Sequence, residues 1–262
     1  MKIARASRNG EVFHGIVEGE HITRLAGSPF GTLKTSGRPL PLNSVKLLSP
    51  VCPPNIIAIG LNYKAHADET GVPYPPAPVI FIKSTNTLCG PGDPIVLPAM
   101  APDEVDYECE LCIIIGRKTK NVSATEALGC VLGYTCGNDV SARDCQLRLD
   151  KQWARGKSFD TFCPLGPWIE TDLRPDALAI RTVLNGKVMQ ESTTADMIFG
   201  CAELVSYISR CMTLYPGTAI MTGTPSGVGF ARKPPVFLRP GDVVAVTVDG
   251  IGTLENRVVS EV

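Results

Sequence analysis

The chain has 262 residues, a formal charge of −1 and 19% charged residues. These values exclude a basic nucleic-acid surface and a disordered polar chain. At about 150 residues per domain, the length suggests one large domain with a small appendage. Gly and Pro contribute 25 and 22 residues, more than usual, which favours a strand-rich fold with many turns.

The sequence shows neither a membrane span nor a secretion signal. No apolar run approaches the roughly 20 residues that cross a bilayer, and residues 1–7 lack an apolar signal core. We therefore expect a soluble, cytoplasmic protein with no membrane or nucleic-acid partner. Most of the ten cysteines should be small buried hydrophobes rather than disulfides. Cys109 and Cys112 form a CxxC, but on a strand they point to opposite faces, which argues against a shared metal.

Residues 1–50 predict a small amino-terminal β domain with a linker. Residues 11–17 and 21–25 flank a turn signal at residues 18–20 and predict a hairpin. Residues 28–50 are rich in Gly, Pro, Ser and Thr, which is typical of a linker. Residues 51–262 then form the main domain.

Strands dominate the main domain, with two helices between them. Apolar segments predict strands at residues 55–60, 79–83 and 106–115 and a terminal hairpin over 242–259. Ser123 and Glu126 form a capping box for a helix over 123–128. Apolar spacing predicts a second helix over 194–212.

The segment around residues 106–115 carries the most informative polar pattern. Glu108 and Glu110 would share one face of the strand, about 7 Å apart. Two neighbouring carboxylates repel unless a cation lies between them. With Asp139, they offer three hard oxygen ligands in a chain with only three histidines, which favours Mg²⁺, Mn²⁺ or Ca²⁺ over Zn²⁺. From spacing alone, a solvated pair on an edge strand is an equal alternative.

His66 directly follows a predicted buried strand, whereas His14 and His21 fall in the amino-terminal hairpin and should be surface residues. Asn62 is a candidate cap for a short helix on which His66 and Glu69 face each other. A carboxylate beside an imidazole can activate water as a general base. Glycines flank the segment, so it is a candidate lid. On local evidence alone, a surface ion pair is the leading alternative.

Two later segments add binding groups. Lys157 lies in a Gly/Ser turn, where it would contact a substrate carboxylate or be solvated. Residues 222–229 form a Gly-rich loop without the ending of a P-loop or the spacing of a dinucleotide fingerprint. Its backbone N–H groups can still bind a carboxylate or phosphate. Ser226 is outside a Gly-x-Ser-x-Gly elbow, so a serine hydrolase is not expected.

Together, five ordered segments resemble the fumarylacetoacetate hydrolase superfamily over residues 50–262. The matching segments are residues 60–69, 106–111, 133–144, 156–160 and 222–229. The chain also resembles the two-part members, in which a small amino-terminal domain precedes the catalytic one. The resemblance implies a β-rich α+β fold with a mixed β-roll at its centre, and a homodimer.

The resemblance also implies roles for individual residues. The metal ligands would be Glu108, Glu110 and Asp139, holding Mg²⁺ or Mn²⁺. The catalytic residues would be His66, Glu69 and Lys157. The substrate contacts would be Arg143, Gln146 and Thr224.

The expected substrate is a small 2-oxo acid, an acylpyruvate or an oxaloacetate-like compound. The metal would act as a Lewis acid and stabilise the enolate. His66 and Glu69 would activate water for C–C bond hydrolysis, while Lys157 and the Thr224 loop hold the distal group. The alternatives at the same site are decarboxylation and keto–enol tautomerisation or isomerisation, of the oxaloacetate or 2-hydroxyhepta-2,4-diene-1,7-dioate type. A non-catalytic metal-binding dimer is the alternative from another class, and the presence of both His66 and Glu69 argues against it.

Overall fold

The computed structural model describes residues 1–261, which form mixed β-sheets with short helices around them. Strands β1 to β19 are Lys2–Arg8, Glu11–Glu18, His21–Arg24, Leu40–Pro41, Lys46–Leu48, Ile56–Gly60, Val79–Lys83, Leu88–Cys89, Ile95–Leu97, Val105–Asp106, Cys109–Ile115, Val131–Asn138, Ser141–Ala142, Cys163–Glu170, Ala179–Leu184, Lys187–Thr193, Ala219–Met221, Val243–Val248 and Gly252–Ser260. Helices α1 to α4 are Lys64–Thr70, Ala124–Ala127, Ala154–Lys157 and Cys201–Cys211, and Cys145–Leu149 is a π-helical turn. The predicted β-rich α+β class is confirmed.

Two sheets make up most of the molecule. The larger has twelve strands in the order β4-β3-β2-β1-β14-β12-β11-β17-β6-β7, with β5 beside β1 and β8 beside β14. The smaller has the order β16-β15-β18-β19-β9 and contains the predicted terminal hairpin, β18 and β19. Both sheets are mixed, because β17 runs parallel to β6 and β9 runs parallel to β19.

Strand β11 lies at the centre of the larger sheet, and all seven of its residues are buried. One face of β11 packs in a hydrophobic cluster that includes residues of α4 and of the smaller sheet. The other face packs in a second hydrophobic cluster. Burial on both faces requires a continuous apolar run, which β11 has from Leu111 to Ile115. Cys109 and Cys112 lie in different clusters, as the strand period predicts.

The amino-terminal region extends the larger sheet. Strands β2 and β3 form the predicted hairpin around residues 18–20. Where the sequence indicated a linker over 28–50, the structure has β4 paired with β3 and β5 paired with β1. Strand β1 also pairs with β14, so these strands continue the sheet of the main domain. The domain boundary at residue 50 stays a prediction.

One predicted helix is too long. Helix α4 begins at Cys201, not at residue 194, with Gly200 as its extended N-cap. The hydroxyl of Thr193 accepts a hydrogen bond from the Ala195 N–H, which stabilises a separate 3₁₀ turn over 194–196. The helix predicted over 123–128 is present as α2, with the capping box of Ser123 and Glu126.

The predicted strand over residues 106–115 is interrupted. Strand β10 ends at Asp106 and pairs with β13, whereas β11 begins at Cys109. The Asp106 carboxylate accepts hydrogen bonds from the N–H groups of Tyr107, Gly229 and Phe230 at 2.8 to 3.0 Å. These bonds fix the break, and Glu108 lies directly before the central strand.

Other sequence expectations have clear outcomes. Eight of the ten cysteines are buried and all are free, with Cys52 and Cys211 exposed. His21 is exposed, but the expectation of a surface position is wrong for His14, which is half-buried with Nε2 3.3 Å from the Pro50 carbonyl oxygen. None of the helices in residues 1–261 has the length and apolar character to cross a bilayer.

Gly133 in β12 tests the packing of the central sheet. A Cβ at this position would lie 2.4 Å from the backbone oxygen of Glu170 in β14, which cannot move aside without breaking the ladder. We expect Gly133→Ala to lower the free energy of unfolding by about 1–3 kcal/mol in urea denaturation. Gly129→Ala is the matched control, since its Cβ would meet only the Arg117 side chain at 3.8 Å. Equal losses in both variants would contradict this packing argument.

Candidate active site

A cavity of about 460 Å³ opens beside the start of β11. Its walls come from α1 and the segment that follows it, the ends of β6 and β7, the π-helical turn, α3 and the Gly-rich loop. It is lined by eight of the nine side chains that the sequence singled out: His66, Glu108, Glu110, Asp139, Arg143, Gln146, Lys157 and Thr224. Glu69 lies behind His66.

Three carboxylates meet in this cavity. Glu108, Glu110 and Asp139 each offer one oxygen, and the three oxygens lie within 4.8 Å of one another. The pairing of β11 with β12 places Cys109 opposite Asn138. Glu108 and Glu110 flank Cys109 and Asp139 follows Asn138, so the three carboxylates meet at the end of this strand pair. The three carboxylate residues are at most 5% exposed, so the alternative of a solvated edge-strand pair is wrong.

Two lysines neutralise part of this triad. Lys157 Nζ lies 2.7 Å from Glu108 Oε2 and 2.7 Å from Asp139 Oδ2. Lys83 Nζ lies 2.6 Å from the other Asp139 oxygen. Lys157 is on α3 and 2% exposed, so the expectation of a Gly/Ser turn is wrong. Its ammonium group holds two carboxylates of the triad together instead of projecting toward solvent.

Arg143 provides the third buried cation. Its guanidinium group lies 2.7 Å from Glu108 and 2.8 Å from Asp106. It also donates a 2.8 Å hydrogen bond to the side-chain oxygen of Gln146 on the π-helical turn. Arg143 thereby links the triad to the wall where Gln146 faces the cavity.

With all four buried carboxylates ionised, including Asp106, the cluster carries one negative charge more than its three buried cations can balance. Although burial opposes it, the positive charges of Lys157 and Arg143 lower the pKa of Glu108. Burial and the neighbouring Asp139 and Glu108 carboxylates raise the pKa of Glu110 well above its usual range. Three close, buried carboxylates with residual negative charge fit a hard divalent cation. The triad is therefore able to bind a divalent metal.

His66 projects from α1 into the same cavity and is 8% exposed. Its Nδ1 lies 2.7 Å from Glu69 Oε1. The two Glu69 oxygens accept hydrogen bonds from the Gly227 N–H at 3.1 and 2.9 Å. A carboxylate at Nδ1 holds the proton there and leaves Nε2 as the basic nitrogen. The surface ion-pair alternative is therefore wrong for His66.

The role expected for Asn62 as a helix cap is also wrong. The N-cap of α1 is Tyr63, and its first turn is instead held by Asp196, which accepts from the Ala65 N–H at 3.0 Å. Asn62 donates to the carbonyl oxygens of Phe199 and Thr222 at 3.0 and 2.7 Å. It fixes the start of α1 against two other segments of the site.

A buried glutamine fixes the Gly-rich loop. Gln190 in β16 donates to Thr224 Oγ1 and to the Pro225 carbonyl oxygen, both at 2.8 Å. Its side-chain oxygen accepts from the Cys109 N–H at 3.0 Å. Thr224 in turn donates to the Cys109 carbonyl oxygen at 3.0 Å. The smaller sheet thus holds the loop against the start of β11.

Sequence reasoning missed three residues that build this site: Lys83, Asp106 and Gln190. Lys83 closes an apolar strand and is only 1% exposed. A lysine at the end of an apolar run indicates a buried lysine, but the sequence does not show which carboxylate it pairs with. Asp106 precedes Glu108 and Glu110 at the same two-residue spacing, which extends the carboxylate pattern. Gln190 lies in an exposed-looking hairpin, and nothing in its local sequence distinguishes it.

Comparison with known proteins agrees with this geometry. Residues 55–259 match the family model described as fumarylacetoacetate (FAA) hydrolase C-terminal, and residues 1–50 match the model Rv2993c-like, N-terminal. The chain is 45% identical over 224 residues to the mitochondrial oxaloacetate tautomerase Fahd2a of Rattus norvegicus, covering 84% of this chain and 71% of that protein.

Two solved structures are similar over the whole chain. The 5-carboxymethyl-2-hydroxymuconate delta-isomerase of Mycobacterium smegmatis has 46% identity and a TM-score of 0.91, with 100% of both chains covered. The 2-hydroxyhepta-2,4-diene-1,7-dioate isomerase of Mycobacterium marinum has 44% identity and a TM-score of 0.90, with 100% and 99% covered. Because the family model matches residues 55–259, which are most of this chain, the chain belongs to the fumarylacetoacetate hydrolase family.

Proposed function

We propose that this protein is a divalent-metal-dependent enzyme that tautomerises enolisable 2-oxo acids of the oxaloacetate type. The observation that carries the proposal is that His66, backed by Glu69, lines the same cavity as the carboxylate triad. C–C bond hydrolysis, the reaction expected first from the sequence, becomes the second candidate. The similar proteins are a tautomerase and two isomerases, which supports proton transfer without bond cleavage.

The proposed metal is Mg²⁺, or Mn²⁺, held by Glu108, Glu110 and Asp139. When bound, it would supply a Lewis acid for the C1 carboxylate and C2 oxygen of the substrate. Lys157 and Lys83 hold the Asp139 carboxylate from both of its oxygens, which fixes the triad before substrate arrives. Such fixed charges stabilise a developing negative charge without reorganisation.

His66 is the proposed proton carrier. Its Nε2 takes the proton from C3 of the keto form and returns a proton to the C2 oxygen to give the enol, and between these transfers the Glu69 carboxylate stabilises the imidazolium through Nδ1. Because Glu69 lies outside the cavity lining and its oxygens face His66 and the Gly227 N–H, we propose that it orients the imidazole and does not meet the substrate itself. Gln146 and Thr224 line the same cavity as His66 and are the proposed substrate contacts.

Hydrolysis of an acylpyruvate is the second candidate, favoured by the size of the cavity. Its volume of about 460 Å³ leaves space for a water of roughly 30 Å³ beside a small 2-oxo acid. His66 would then take its proton from that water. Decarboxylation is a third outcome that needs the same residues but no water.

We also propose that the protein is a homodimer, which light scattering on the purified protein tests.

An ultraviolet assay with enol-oxaloacetate and acetylpyruvate in parallel separates these reactions. We expect fast, Mg²⁺-dependent loss of the oxaloacetate enol without pyruvate release, abolished by a chelator. Pyruvate from acetylpyruvate would instead identify a hydrolase, and pyruvate from oxaloacetate a decarboxylase. If neither compound is turned over with Mg²⁺ or Mn²⁺, the tautomerase proposal fails and a non-catalytic metal-binding dimer is favoured.

Substitution of His66 tests its role as proton carrier. We expect His66→Gln to lower kcat by about 10²- to 10⁴-fold, the usual contribution of a general base. Metal affinity, measured by calorimetry, should stay within about twofold, since the imidazole pairs with Glu69 and not with the triad. His21→Gln is the matched control, because His21 is exposed. Equal losses of turnover and metal affinity would make His66 a ligand or a structural residue.

Substitution of Glu110 tests the metal site. Glu110→Gln keeps an oxygen that can accept the 2.7 Å hydrogen bond from the Gly223 N–H but removes one negative charge. We expect Mg²⁺ and Mn²⁺ affinity in calorimetry to fall by about tenfold or more. Glu191→Gln, at an exposed position on β16, should bind both ions like the wild type. Unchanged affinity in Glu110→Gln would remove Glu110 from the ligand set.

A further inference from the structure

We propose that Gln190 is a positioning residue that holds the metal-binding carboxylates and the Gly-rich loop in one fixed arrangement. The inference rests on the proposed function and adds to it a residue that lies outside the cavity. Gln190 is on β16 of the smaller sheet, is 1% exposed and does not line the cavity. It therefore acts on the reaction through the groups that its side chain holds.

The edge of β11 is open at the point where the triad begins. Strand β17 pairs with β11 over residues 112–114 and ends at Met221. The chain then leaves the sheet at Gly223, whose φ is +97°. Strand β17 therefore stops short of Cys109, whose buried N–H and C=O groups need other hydrogen-bond partners.

Two side chains take the place of a strand partner for Cys109. Gln190 Oε1 accepts a 3.0 Å hydrogen bond from the Cys109 N–H, and Thr224 Oγ1 donates at 3.0 Å to the Cys109 carbonyl oxygen. The Gln190 amide nitrogen in turn donates at 2.8 Å to Thr224 Oγ1. These three hydrogen bonds close a ring between strand and loop, so a movement of the loop is coupled to a movement of the strand.

The Gln190 amide uses all of its hydrogen-bonding capacity inside the protein. A glutamine side chain has two N–H donors and an oxygen with two lone pairs. The two donors bind Thr224 Oγ1 and the Pro225 carbonyl oxygen. The oxygen accepts from the Cys109 N–H and, at 2.7 Å, from the hydroxyl of Thr182 on β15. Gln190 therefore orients other groups and does not bind substrate itself.

The ring fixes the position of two carboxylates of the triad. Glu108 and Glu110 are the chain neighbours of Cys109. The loop also holds one of them directly, because the Gly223 N–H donates to Glu110 Oε2 at 2.7 Å. Thr224 lines the cavity and is a proposed substrate contact. The ring thereby sets the position of a substrate contact relative to two of the three proposed metal ligands.

Gln190→Met tests this role, because methionine keeps the length of the side chain and removes its four hydrogen bonds. We expect the Kd for Mg²⁺ and for Mn²⁺ in calorimetry to rise by about 10- to 100-fold, the usual effect of losing a group that supports metal ligands. KM for the oxaloacetate enol should rise by about tenfold. At saturating Mg²⁺, kcat should change less than KM, since the His66–Glu69 pair is held by the Gly227 N–H.

Asn256→Leu is the matched control, because it removes a buried amide from the same sheet at a distance from the ring. Asn256 is on β19, is 2% exposed and donates to the carbonyl oxygens of Gly90 and Asp93 at 2.9 and 2.8 Å. Both variants should unfold at lower urea concentration, but Asn256→Leu should keep the wild-type Kd and KM. Equal weakening of metal binding in both variants, or wild-type metal affinity in Gln190→Met, would overturn the inference.

Thr182→Val is a milder test that applies even if Gln190→Met does not fold. Valine has the shape of threonine but cannot donate to Gln190 Oε1, so the amide loses one of its four hydrogen bonds. We expect the Kd for Mg²⁺ to rise by about threefold or more. An unchanged Kd in Thr182→Val would count against the positioning role and overturn it.

Metal binding separates this inference from the proposed function, because calorimetry requires no turnover. If the wild type turns over neither the oxaloacetate enol nor acetylpyruvate, but Gln190→Met binds Mg²⁺ more weakly than Asn256→Leu, the proposed function falls and the positioning role stands. If the wild type tautomerises oxaloacetate and Gln190→Met binds Mg²⁺ normally, the function stands and the positioning role is wrong. If the wild type binds neither Mg²⁺ nor Mn²⁺, both fall.

Discussion

The buried cluster of charges at the start of β11 is the constraint on which the rest of the structure depends. Four carboxylates, Asp106, Glu108, Glu110 and Asp139, lie beside three cations from three different segments. A buried charge without a partner costs several kcal/mol. The interruption between β10 and β11, the position of α3 and the end of β7 all serve to bring these partners together.

The two sheets contribute differently to catalysis under the proposed function. The larger sheet supplies the triad on or beside the buried strands β11 and β12, and Lys83 at the end of the edge strand β7. The smaller sheet supplies no group to the cavity but fixes the Gly-rich loop through Gln190. The proton carrier is on a separate short helix whose first turn depends on Asp196. A rigid anion-rich floor is thus combined with a base on a small, separately held element.

Local patterns made the triad and the His66–Glu69 pair candidates, because their members are close in sequence or follow recognisable strands, but a solvated carboxylate pair and a surface ion pair stayed open alternatives. The family resemblance then assigned them roles. Lys83 was missed because its partner Asp139 is 56 positions away, and single-sequence patterns do not carry such pairings. The same limit explains Asn62: its backbone partners are 137 and 160 positions away, so local capping rules gave the wrong role. Tertiary contacts therefore determine the roles of both Lys83 and Asn62.

The main-chain donor at Gly227 has a consequence for how this site tolerates mutation. Its N–H holds both oxygens of Glu69, and no side-chain replacement other than proline removes that donor. The position also has a φ of +98°, and a Cβ would lie 2.4 Å from the Met189 carbonyl oxygen. Substitution therefore changes the loop geometry before it changes the chemistry. The main chain of Gly227 therefore sets the orientation of the His66 imidazole through Glu69, and only glycine fits at this position.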